Sequence, residues 1–320
     1  MMEKKHYYGI DWLRTMACIG IVMMHIQANN TYHLKGFIAE KMIPSFTDFT
    51  FLFMTISAFG MCVGYYQKVK DGKVNWVAFY KKRYIKVLPF FAVVVLMDIV
   101  FNHDLISIIE AVPNLTLTRG FFPNDIGQIG VAWFLGLVFV IYAIFPLFCA
   151  MLNTKKSGWF FVLVSLLLNF VVGNFYGMGR QNIIYSLPFF IVGGLIYLYR
   201  DKVNNWHIYL PLTLLSIILY YLVGGVYSCL LVSISFLLLA ISIGGYSRIV
   251  SFISGISMEI YLSHMVVFRL VEKMRFNRMF GNGWLQYFIT VGLVLVGAAC
   301  FSVIVKKFIG LAEKKLVGRE

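Results

Sequence analysis

The chain has 320 residues, 60% hydrophobic and 13% charged, with a mean hydropathy of +0.80; a soluble domain carries about 45–50% apolar and about 25% charged residues, so a water-soluble core is excluded. The formal net charge is +14, yet most Lys and Arg residues gather in joining segments on one side of the apolar runs, which is the pattern that orients membrane proteins and not a nucleic-acid footprint. Runs of about 20 apolar residues, the length that crosses a bilayer core, fall near 9–28, 46–66, 84–101, 131–151, 158–174, 183–199, 207–223, 226–244, 249–268 and 285–305. The expected fold is an all-α polytopic membrane bundle of about ten helices, one domain over 1–320, in the plasma membrane with both termini cytoplasmic.

The first span carries Arg14 and His25 within it and has no small-residue cleavage site, so it is expected to be a retained helix and not a signal peptide. Eleven residues separate the two, which at about 100° per residue is three turns plus about 20°, so they share one face about 16 Å apart along the axis. Arginine suits phosphate and histidine suits proton transfer near neutral pH. One reading is a phosphate-bearing substrate that enters from inside and reacts farther out. The other is an Arg14 that snorkels with help from Asp11, and a His25 that is an interfacial polar residue.

The segment Lys68–Lys86 is rich in Lys and Arg. Within it, Arg83 and Lys86 stand at i and i+3 on the third helix, where they suit either a phosphate clamp or a positive-inside flank. The outer segments 29–45 and 102–130, the latter with His103, Asp104, Glu110, Arg119 and Asp125 among short apolar patches, are longer than ordinary turns and are read as binding lids, partly re-entrant segments or disordered outer loops. In the ninth span Glu259, Tyr261, Ser263 and His264 place an acid, a phenol and an imidazole within two turns, as a reactive group or as a hydrogen-bonded structural network. The segment after it, with Arg269, Lys273, Arg275 and Arg278, breaks the charge rule and suits an anionic partner. The five cysteines have no CxxC spacing and read as structural thiols, with no metal site expected.

Six ordered motifs resemble the acyltransferase-3 family of integral membrane acyltransferases, and the likeness covers most of the chain. They are Ile10–Arg14 followed by His25; Phe53–Phe59, with Ala58 where the family has glycine; Arg83-Tyr84-Ile85-Lys86 followed by Pro89, with lysine in the second basic position; Ala132–Leu135 continuing to Tyr142 and Pro146; Tyr185–Gly194; and Ser257–His264. The resemblance implies transfer of an acyl group, usually acetyl from cytoplasmic acetyl-CoA, to a hydroxyl of a sugar or glycan at the outer face. It implies His25 as general base for the acceptor hydroxyl or covalent relay, in a catalytic pair with Arg14, which with Arg83 and Lys86 would also hold or orient the phosphorylated donor. Ser57, Trp133, Glu259, Tyr261 and His264 would line the substrate site. No bound cofactor is implied; the expected partners are acetyl-CoA, the glycan acceptor and membrane lipids, and a homodimer is allowed. A non-enzymatic binding or uptake module, or a glycan polymerase or exporter, remains the alternative.

Overall fold

The computed structural model describes residues 6–32, 34–102, 105–116, 118–119 and 132–317, and among these all regular structure is helical. The helices are α1 (Tyr8–Asn29), α2 (Ile38–Lys70), α3 (Trp76–Asn102), α4 (Leu105–Leu115), α5 (Ala132–Ala143), α6 (Phe145–Met151), α7 (Lys155–Phe175), α8 (Ile183–Tyr199), α9 (Trp206–Val223), α10 (Gly225–Ser242), α11 (Arg248–Gly255), α12 (Ser257–Lys273) and α13 (Gly283–Val317). Eight of the helical segments are long and apolar enough to cross a membrane, and up to ten cross if each bent pair counts as one span. The ten expected runs all lie on these segments.

Two expected spans are broken. α5 and α6 meet at 67°, and α11 and α12 at 71°. At the first bend Pro146 stands in the opening turn of α6, where its missing N–H is no loss but where an unbroken helix would clash. At the second, Ile256 leaves helical geometry (φ −118°, ψ 12°) just after Gly255. α2 starts earlier than expected because a π-turn at Ile38–Met42 extends it, and a second π-turn at Cys62–Tyr66 interrupts its other end. α9 and α10 form a hairpin whose tight joint needs left-handed backbone at Gly224 and Gly225 (φ 70° and 84°), a conformation glycine adopts without steric cost.

α4, inside the 102–130 segment, is about 16 Å long at 1.5 Å per residue and too short to span. Its burial is inverted: Ser107, Glu110 and Asn114 are buried, whereas Leu105, Ile106, Ile109 and Val112 are exposed. Such a helix suits a hydrocarbon environment, with its polar face turned to protein. Arg119 just beyond it is also buried, while residues 103–104, 117 and 120–131, including His103, Asp104 and Asp125, lie outside the described residues.

α1 occupies the middle of the bundle and packs against α2, α10, α11, α12 and α13. α8 lies between α2 and α7, while α3 rests on α12 and α13 and carries α4. Small residues let these helices approach closely. A β-carbon on Gly9 would run into the Ala240 carbonyl, and one on Gly193 into the Thr55 carbonyl and within 2.9 Å of the Ala58 side chain. The close approach between α2 and α8 therefore falls on Gly193, with Ala58 as its partner. Gly193→Val is expected to lower the stability of the purified protein by about 1–3 kcal/mol, the usual cost of overpacking, read as a fall in thermal midpoint in detergent; an unchanged midpoint would show that α2 and α8 can separate freely.

Candidate functional site

Arg14 sits two turns into α1, half-buried, and its guanidinium makes no hydrogen bond or ion pair among the described residues. Asp11, one turn earlier, is occupied elsewhere. It accepts hydrogen bonds from Ser251 Oγ (3.1 Å) and Ser254 Oγ (2.8 Å) of α11, and His6 Nε2 lies 2.9 Å from it. The carboxylate thus ties α1 to α11 and makes no direct ion pair with Arg14, on which its charge still acts at longer range.

Arg14 faces a cavity of about 110 Å³ shared with Ser57 of α2, Lys86 of α3, Tyr142 of α5, Ser257, Glu259 and Tyr261 of α12. The volume admits several waters or a slender chain, but not a nucleotide. Glu259 is buried and accepts a hydrogen bond from Lys306 Nζ of α13 at 2.7 Å, so the one carboxylate in the cavity wall already has a counter-charge. Lys86, like Arg14, has no ion pair among the described residues. Two unpaired cations beside a neutralised acid leave a net positive cavity, which suits a phosphate or another anion.

Arg83 is not in the cavity wall. Its guanidinium lies 5.0, 5.1 and 5.2 Å from the rings of Tyr65, Phe79 and Tyr142, and Nε is buried without a partner. The i,i+3 pair thus splits: Lys86 turns to the cavity, whereas Arg83 is held in an aromatic cage beside it, where cation–π attraction substitutes for an anion.

Farther along α1, the His25 ring stands 5.0 Å from that of His264, centroid to centroid. His264 is fully buried, and its Nδ1 is 2.7 Å from the Tyr261 carbonyl oxygen. A carbonyl only accepts, so the proton belongs on Nδ1 and Nε2 is left as an acceptor; that atom is buried without a partner. Ser263 donates to the Glu259 backbone carbonyl at 2.8 Å, a helix-internal bond and not a side-chain relay.

Trp133 lies apart from the inner cavity, toward the His25 end. Over its ring, at 5.3 Å, stands Arg180 from the α7–α8 connection, which also donates to Thr47 Oγ1. Arg180 is within electrostatic reach of His25, Asp48 and Tyr261. Sequence reasoning missed Arg180, although an arginine on the side that the charge rule depletes is a signal in itself. It named Tyr142 within a motif but gave it no role, whereas its ring joins Arg83 to the cavity, and it missed Lys306, which in sequence looks like any flanking lysine. In the basic segment after the ninth span, Arg269 pairs with buried Asp98 at 3.0 Å and Lys273 lies over the Phe101 ring at 4.9 Å, so both fasten α12 to α3. No group of His, Cys, Asp and Glu that could hold a metal occurs among the described residues. All five cysteines are free thiols, four of them buried.

The arrangement is a line along α1: unpaired cations around a small polar cavity at one end, and a histidine pair with a nearby arginine toward the other. A family model described as an acyltransferase domain, of the acyltransferase-3 type, matches residues 7–303. No curated protein and no solved structure matches the chain.

Proposed function

Because the chain belongs to the acyltransferase-3 family, we propose that this membrane acyltransferase takes an acetyl group from acetyl-CoA on the cytoplasmic side and passes it to a hydroxyl of a sugar or glycan on the opposite face. The observation that carries the reading is the line of α1, with an unpaired Arg14 at one end and the His25–His264 pair about 16 Å along the same face. The phosphates of the donor meet Arg14 and Lys86 at the mouth of the cavity. The pantetheine arm then runs up the helix face and presents the thioester carbonyl at His25.

His25 takes the proton from the acceptor hydroxyl as its oxygen attacks the thioester carbonyl. The tetrahedral intermediate collapses with cleavage of the C–S bond, and the departing thiolate recovers the proton from the imidazolium. His264, with its proton fixed on Nδ1, offers Nε2 to the His25 ring as a positioning acceptor. Arg180 supplies positive charge near the developing oxyanion, where such charge is worth most in a water-poor site. The gathering of Lys and Arg on the Arg14 side supports placing that side and both termini in the cytoplasm, with the plasma membrane as the proposed location.

Mass spectrometry of cell-surface glycans from strains with and without the gene tests this directly. A mass difference of one acetyl group is expected; identical profiles would point to a binding module or a different acceptor. His264→Gln, which keeps an amide acceptor near the same place, is expected to lower kcat by less than His264→Phe does, with little change in KM for acetyl-CoA. Equal losses in the two variants would show that His264 acts only by filling space.

A further inference from the structure

A second, larger cavity lies on the face of α1 turned away from Arg14 and His25. Ile19 is five residues after Arg14, about 140° around the axis, and with Trp12, Met16 and Met23 it forms one wall of a groove of about 620 Å³. Phe49 and Leu52 of α2, Ile217 of α9 and Phe236 of α10 help to close it. From Trp12 to Met23 the groove follows about 16 Å of α1, about half of a roughly 30 Å hydrocarbon core.

α9 leans on α10 and is tied to α2 by hydrogen bonds near its Val223 end. Tyr220 donates to Asp48 Oδ2 at 2.7 Å, and the hydroxyls of Tyr221 and Ser45 meet at 2.9 Å. Away from those bonds the walls are apolar. The outward residues of α9, including Leu214, Leu215 and Ile218, are exposed to the surrounding lipid. At this depth the medium is hydrocarbon and not water, so a groove of this chemistry fits an alkyl or prenyl chain entering sideways from the bilayer.

The polar end of the groove gives that chain a purpose. Asp48 lines it, and the adjacent Thr47 accepts a hydrogen bond from Arg180, which stands over Trp133 at the His25 end of the acyl path. We propose that the acceptor is carried on a membrane-lipid hydrocarbon chain lying in the groove between α1, α2, α9 and α10, its polar head held between Asp48 and Arg180 within reach of His25. The use of the groove by the acceptor rests on the acyl-transfer reading, whereas the chain-binding chemistry does not.

The test uses the full-length protein in vesicles of phosphatidylethanolamine and phosphatidylglycerol, the latter with a photoactivatable diazirine in its acyl chain. Crosslinked peptides are expected to concentrate on the groove walls around Ile19 and Phe236. Ile217→Trp, which fills the groove from peripheral α9, should cut that labelling several-fold, and Val232→Trp from α10 should do the same. Leu222→Trp, on the exposed face of α9, should not. Both groove variants should also lower transfer from labelled acetyl-CoA into isolated membranes by about tenfold, with size-exclusion profiles showing that they remain folded. Labelling spread evenly over lipid-facing helices and insensitive to Ile217→Trp would overturn the groove. Reduced labelling with full transfer would overturn its use by the acceptor. Groove labelling in a wild-type protein that transfers nothing would overturn the acyl-transfer reading and the acceptor assignment together.

Discussion

Replacing His25 with alanine is expected to reduce acyl transfer by about 10²–10⁴-fold, the usual contribution of a positioned general base, while the protein still inserts and still binds CoA. The ring removed is not among the buried residues of the core and, among the described residues, belongs to no ion pair; a close neighbour is the His264 ring, at 5.0 Å. Steady-state transfer and CoA binding, measured on the same purified preparation, separate the two effects. A kcat loss with unchanged CoA affinity fits a residue that meets the acceptor and the thioester carbonyl. A variant that transfers at the wild-type rate would remove His25 from the chemistry and leave its place beside His264 without a catalytic purpose.

The opposite signature is expected at the other end of α1. Arg14→Ala should raise KM for acetyl-CoA by about 10–100-fold with a smaller effect on kcat, because a hydrogen bond to a charged group contributes about 1.5–3 kcal/mol and each 1.4 kcal/mol is a factor of ten. Among the described residues the guanidinium has no hydrogen bond or ion pair to lose, so the cost is expected to fall on the ligand more than on the fold. Arg14→Lys should recover part of the loss, since lysine keeps the charge but not the two-pronged geometry that suits phosphate. If Arg14→Ala weakens thermal stability and leaves KM untouched, the arginine is a structural residue and the donor binds elsewhere.

These two residues were visible in the sequence because a charge within an apolar helix is conspicuous and because an eleven-residue spacing fixes a face. Ser57, Lys86, Glu259 and Tyr261 were likewise singled out from linear motifs, and they share the cavity that Arg14 lines. What the sequence concealed depends on partners far along the chain. Nothing near Lys306 announces that it will meet Glu259, and nothing near Arg180 announces Trp133 or Thr47. Arg83 and Lys86 have the spacing of a clamp, yet three rings contributed by α2, α3 and α5 draw one of them away. The ten apolar runs were legible from hydropathy alone, whereas the bends at 67° and 71° turn on the backbone of one or two residues that hydropathy does not weigh. The inverted burial of α4 was hidden for another reason: an amphipathic pattern has the same period whichever face meets the protein.

The glycine contacts of α1 and α8 bear on how a reaction can cross a bilayer at all. With Gly9 pressed on the Ala240 carbonyl and Gly193 on that of Thr55, the central helix and its α2–α8 flank have backbone against backbone and no slack for one to slide along the other. A carrier that worked by rocking two halves around a fixed site would need such seams to part. On the proposed acyl-transfer reading the scaffold is the stationary component, and the moving part would be the flexible thioester arm of the donor, carried along α1 as a tethered shuttle while its phosphates stay at the mouth.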